Sequence, residues 1–85
     1  MAPRALRLVR RHDCALCEEL EHLLAPYEAA GRISLERLDV DGDPGLHAQH
    51  AYRVPVLLEG DQELLWGRIE ASEVTDVLGD LPRDA

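Results

Sequence analysis

The feature that most limits what this chain can become is the run Asp13-Cys14-Ala15-Leu16-Cys17, because it sits where the hydrophobic period changes. Before it, residues 6–10 alternate, with Leu6 and Leu8 on one side and Arg7 and Val9 on the other, as a short strand does. After it, Leu16, Leu20, Leu23, Leu24 and Tyr27 recur at helical spacing, while Glu18, Glu21 and Glu28 fill the opposite face. The only two cysteines of 85 residues therefore flank a strand-to-helix junction. Two cysteines scattered at random would be spaced C-x-x-C roughly one time in forty. A staple closing so short a loop adds little stability, since the entropic benefit of a crosslink grows with loop length. The pair calls for a chemical reason.

The rest of the chain supplies a small α/β domain. Asp13 is the expected N-cap of the first helix, Pro26 is expected to kink it or start a new turn, and Gly31 is its expected C-cap. Residues 33–40 read as a second strand whose apolar phase shifts from Ile33 and Leu35 to Leu38 and Val40, which predicts a bulge near Glu36 or Arg37. Asp43-Pro44 is an N-cap followed by proline at the first position of a short helix. Residues 54–59 and 63–66 form a hairpin around Gly60-Asp61, with Tyr52 half-buried near Pro55 and Trp66 packed at the strand end. Val74, Val77, Leu78 and Leu81 mark a last amphipathic helix ending near Gly79, and residues 82–85 are expected to fray. The order is βαβ, short helix, ββ, helix. It predicts a parallel first pair with a right-handed crossover and an antiparallel last pair. One domain spans residues 1–85, with its core at about 5–81.

Composition removes several function classes. Seventeen acidic residues against nine basic ones give a net charge of −8, the opposite of a nucleic-acid-binding surface. All nine basic residues are arginine, so neither a lysine Schiff base nor a phosphate-binding loop with its lysine can form. No apolar run approaches a membrane span, and the arginines at 4, 7 and 10 interrupt anything resembling a signal peptide. A cytoplasmic, monomeric protein with no nucleic-acid or membrane partner is the expectation, in a compartment where thiols rest reduced. The only serines are Ser34 and Ser72, and no Gly-x-Ser-x-Gly exists. Asp39-Val40-Asp41-Gly42-Asp43 opens like a calcium loop, but Pro44 stands where glycine is required and His50 where glutamate is.

Cys14 at a helix start would meet unpaired N–H groups and the positive end of the helix dipole, both of which favour a thiolate. Arg11 adds to that effect, and Asp13, Glu18 and Glu19 oppose it. Cys17, one turn further on, is within reach of Cys14 but deeper in the helix. Such a pair can divide labour between attack on a disulfide and resolution of the mixed disulfide.

Together these features resemble the thioredoxin fold in its short glutaredoxin form, a three-layer α/β sandwich with a four-stranded mixed sheet and helices on both faces. The resemblance rests on the C-x-x-C at a helix start and on Val40-Asp41, Asp43-Pro44 and Tyr52-Arg53-Val54-Pro55-Val56-Leu57-Leu58, and it covers residues 6–78. It implies a thiol–disulfide oxidoreductase with Cys14 as nucleophile and Cys17 as resolving thiol. It implies Pro55 as a cis-proline beside the site, with Arg11, Arg53, Val54 and Pro55 contacting the substrate. No bound cofactor is required, with glutathione a candidate reductant; the partner is a disulfide-containing protein or a glutathione mixed disulfide. The chain departs from typical glutaredoxins in carrying Ala15-Leu16 between the cysteines. It also offers one glycine and no aspartate in Trp66-Gly67-Arg68-Ile69-Glu70, where the family holds glutathione. Two other readings stay open. One is a non-catalytic interaction or redox-sensing module using the Val54-Pro55 groove. The other is a metal site built from Cys14, Cys17, His47 and His50, although the spacing of the two histidines is shorter than usual. His12 and His22 are read as solvated, and no metal ligand is assigned.

Overall fold

The structure is a computed structural model that describes residues 2–81. The elements run β1 (Arg4–Arg10), α1 (Ala15–Ala29), β2 (Ile33–Asp39), a 3₁₀ turn (Val40–Gly42), α2 (Pro44–His50), β3 (Val56–Glu59), β4 (Gln62–Trp66) and α3 (Ala71–Leu78). They build a four-stranded sheet in the order β2-β1-β3-β4. β1 pairs with β2 in parallel, and β3 pairs with both β1 and β4 antiparallel, so the sheet is mixed as expected. Residues 82–85, expected to fray, lie outside the described residues.

Each face of the sheet carries its own apolar cluster. Leu6, Leu8, Ile33 and Leu57 pack with Leu20, Leu24 and Tyr27 of α1 and with Val74 and Leu78 of α3. On the opposite face, Val9, Val56 and Leu58 pack with Val40, Leu46 and Val54. Helices therefore lie on both faces. Two clusters also explain the phase change in the second strand. The β1–β2 register runs unbroken from Arg4↔Ile33 to Arg10↔Asp39, so the bulge expected near Glu36 or Arg37 is absent. Ile33 faces the α1 side and Leu38 the α2 side; one strand serves two cores in succession. The irregularity of the sheet lies instead between Leu57 and Leu58 in the β3–β4 pair.

The helix ends follow local chemistry. α1 runs on through Pro26 for three more residues and ends in a Schellman motif. The Gly31 N–H donates to Glu28 O and the Arg32 N–H to Tyr27 O, both at 3.0 Å, with Gly31 at φ +72°. The Asp43 carboxylate caps α2 by accepting from the N–H groups of Gly45 (2.8 Å) and Leu46 (3.1 Å), with Pro44 next in line. α3 has no basic residue in its last turn. Cationic and hydroxyl donors from elsewhere satisfy that end: Arg4 reaches Val77 O, Arg32 reaches Leu78 O and Asp80 O, and the Tyr27 hydroxyl reaches Gly79 O, all within 2.9 Å.

These contacts yield a stability test. Leu24→Ala, emptying the centre of the α1 face, is expected to cost about 2–5 kcal/mol. Tyr27→Phe, which removes only the bond to Gly79, is expected to cost about 0.5–1.5 kcal/mol. Urea denaturation checks both, and equal midpoints for the two variants would contradict this picture of the core.

Candidate functional site

β1 delivers the chain to the start of α1 through residues 11–13. Asp13 takes a left-handed conformation there (φ 54°), which a short polar side chain tolerates better than most. This displaces Asp13 from the cap position expected for it. The N-cap is Cys14, extended at φ −116° and ψ 106°, and its own sulfur accepts the Cys17 N–H at 3.1 Å. The Cys14 carbonyl accepts the Glu18 N–H at 3.1 Å. A sulfur thus stands where helices usually carry an oxygen acceptor.

Cys14 and Cys17 are joined as a disulfide, with their Cα atoms 5.2 Å apart. Cys17 is fully buried and Cys14 only partly so. Cys17 replaces Leu16 on the buried helix face, since Leu16 is only half-buried.

The sheet brings a second segment to the same end. Val9 of β1 is opposite Val56 of β3, so the end of β1 and the start of β3 are adjacent. The Val54–Pro55 peptide there is cis, and the Pro55 carbonyl accepts the Gly67 N–H at 2.8 Å. The strand begins only at Val56, two residues later than its apolar run suggests. Among the described residues, the N–H and C=O of Val54 have no hydrogen-bond partner.

The arginines around this end are engaged. Arg11 grips Asp41 with two nitrogens (2.9 and 3.1 Å) and donates a third bond to Ala51 O (3.1 Å). The pairing holds the Asp41 carboxyl below, and the Arg11 guanidinium above, their ordinary ranges; the mutual hydrogen bonds are the main cause of both shifts. Arg10 Nε lies 2.8 Å from Glu21 of α1, although without hydrogen-bond alignment. Glu21 also holds Arg37 of β2, which in turn binds Glu28. Arg53 pairs with Glu63 and lies over the Trp66 ring, 4.7 Å from its centre.

Three side chains depart from expectation. Tyr52 is 99% exposed, not half-buried: it projects from the turn after α2, where no element packs over it. Trp66 is 53% exposed, because β4 is an edge strand; Arg53 lies over its ring. His50 is buried (5% exposed), with Nδ1 unpartnered and 3.9 Å from Glu63. His47 lies 3.8 Å from Asp41, and His12 is exposed, 3.7 Å from Asp39. The two histidines of the four-ligand reading thus face carboxylates, and no group of three or more metal-ligating side chains forms among the described residues. The partners Asp41 and Glu63 were not legible from their surroundings in sequence, being 30 and 10 residues from the arginines they bind.

The family model of the Glutaredoxin-like domain (DUF836) matches residues 5–79. The chain belongs to this glutaredoxin-like family. Two solved structures share its thioredoxin-like architecture. Protein Ne2328 from Nitrosomonas europaea, determined by solution NMR, is 30% identical with a TM-score of 0.74, over 92% of this chain and 94% of its own. XcR50 from X. campestris, an X-ray structure, is 29% identical with a TM-score of 0.71, over 91% of this chain and 99% of its own. No curated protein matches the chain. In this glutaredoxin-like domain the C-x-x-C pair occupies the helix start, and no helix among the described residues is long and apolar enough to cross a membrane.

The Arg11–Asp41 pair predicts a pH effect. A carboxylate whose folded pKa is lowered from 3.8 stabilises the fold above that value, and the contribution is lost as pH falls through the depressed folded pKa. Wild type should therefore exceed Asp41→Asn in urea midpoint near neutral pH, with the gap closing below about pH 4. A gap that does not shrink as the pH falls below about 4 would refute the assignment.

Proposed function

We propose that this chain is a thiol–disulfide oxidoreductase in which Cys14 attacks and Cys17 resolves. The observation that carries the reading is the division between the two sulfurs: Cys14 is partly exposed at the helix cap, and Cys17 is sealed behind it. In the reduced state the Cys14 sulfur is the one that a substrate can reach and the one that the Cys17 N–H faces. A donated N–H and the positive helix end favour its thiolate, which is the attacking species.

The reaction runs in two exchanges. The Cys14 thiolate attacks one sulfur of the substrate disulfide, forming a mixed disulfide and releasing the other sulfur as a thiolate that takes up a proton. Cys17, deprotonated, then attacks the Cys14 sulfur, closes the Cys14–Cys17 bond and releases the second substrate thiol. Two electrons pass from the dithiol to the substrate, and no bound cofactor takes part. Val54, with N–H and C=O unpaired, is suited to hold an extended substrate segment as a strand holds its neighbour. Arg11, engaged by Asp41 and Ala51, acts in this scheme by fixing the loop that leads to Cys14. A reducing compartment such as the cytoplasm would supply the dithiol or glutathione that regenerates the site.

Single-cysteine variants test the assignment. Cys14→Ser should abolish disulfide reduction. Cys17→Ser should still attack but accumulate a mixed disulfide on Cys14, visible by intact-mass spectrometry. Undiminished turnover by Cys14→Ser, or adducts on Cys17 alone, would reverse or remove the assignment.

A further inference from the structure

The surface at the Cys14 end combines two features that no single small ligand explains. Tyr52 and Trp66 are the large apolar side chains left in water among the described residues. Tyr52 precedes Pro55 by three residues. Trp66 precedes Gly67, whose N–H binds the Pro55 carbonyl. Arg53, next to Tyr52 in sequence, lies over the Trp66 ring. Exposed aromatics beside an unpaired stretch of backbone are what an extended polypeptide can use, its main chain on Val54 and its side chains on the rings.

The second feature is charge. Asp13, Glu18 and Glu19 surround Cys14 in sequence; all are exposed, and none pairs with a cation among the described residues. The arginines that would offset them are taken: Arg10 by Glu21, Arg11 by Asp41 and Arg53 by Glu63. Arg68, exposed and next to Gly67, has no carboxylate partner among the described residues. One free cation against three free carboxylates, in a chain of net charge −8, repels a small disulfide carrying carboxylates close to its sulfurs. The same field draws in basic side chains, which also bind aromatic faces.

Resting on the oxidoreductase reading above, we propose that the substrate is a disulfide within an extended, basic polypeptide segment, gripped by Tyr52 and Trp66, and not a small acidic disulfide of the glutathione kind. The half-reaction is balanced without a further reductant. The reduced chain gives up two thiol protons and two electrons, the substrate disulfide takes them up to become two thiols, and the Cys14–Cys17 disulfide forms.

Single-turnover mixing of the pre-reduced full chain tests this. The probes are a short peptide disulfide flanked by lysines and leucine, the same peptide with glutamates for lysines, oxidised glutathione, and neutral hydroxyethyl disulfide. Each rate is divided by that of free dithiothreitol with the same probe, which removes differences in intrinsic reactivity. The lysine peptide should react about tenfold faster than the glutamate peptide or oxidised glutathione at low salt, with the gap shrinking at about 0.5 M salt. Tyr52→Ala and Trp66→Ala should each slow the lysine peptide about three- to tenfold and leave the hydroxyethyl disulfide rate unchanged. Tyr52 lies wholly in water, so its removal does not threaten the fold. Oxidised glutathione reacting as fast as the lysine peptide, or variants that leave the peptide rate intact, would overturn the proposal while hydroxyethyl disulfide is still reduced. Failure to reduce even that neutral probe would instead remove the oxidoreductase reading, and this proposal with it.

Discussion

Leu20, Leu24 and Tyr27 fasten α1 to the sheet, and that packing decides where the first N–H groups of the helix point. The carboxylate of Glu21, shared between Arg10 of β1 and Arg37 of β2, sets the same helix against the strands on its polar side. With α1 held, Cys17 falls on the buried face and Cys14 falls at the cap, where the helix supplies a donor to its sulfur. The asymmetry between the two sulfurs is therefore a consequence of how the helix docks. A C-x-x-C in a mobile segment would carry no such distinction between an accessible and a buried sulfur.

Arginine takes the structural tasks that a larger core would leave to apolar contact. A chain of 85 residues without phenylalanine has limited surface to bury. Arg4 and Arg32 close the end of α3, Arg11 ties the loop before Cys14 to the 3₁₀ turn, and Arg37 bridges β2 and α1. Several of these bonds are bidentate or go to backbone carbonyls, geometries that the planar guanidinium satisfies and an ammonium does not. The surplus negative charge is left on the surface, including the surface around Cys14.

The architecture was legible because its signals are local. Alternation in β1, the helical spacing from Leu20 to Tyr27, Asp43-Pro44 before α2 and Gly60-Asp61 between β3 and β4 each state an element within a few residues. The cysteines were legible for the same reason. What the sequence concealed was long-range. The bulge inferred at Glu36 or Arg37 was a strand passing from one core to another, which only the position of α2 reveals. Asp13 carries a capping side chain, but the turn out of β1 places it in the left-handed region and passes the cap to Cys14. Tyr52 and Trp66 look like core residues by type. Their exposure follows from lying in a turn and on an edge strand, with no element beyond them.

If the helix cap activates Cys14 and burial shields Cys17 from outside reagents, the two thiols of the reduced chain must differ in reactivity. The pH dependence of alkylation of the reduced chain by iodoacetamide, with each cysteine followed separately by peptide mass spectrometry, measures that difference. Cys14 should be modified with an apparent pKa below the ordinary thiol value of ~8.5, while Cys17 stays protected. Equal rates at the two cysteines, or a Cys14 that reacts only as an ordinary thiol, would contradict it.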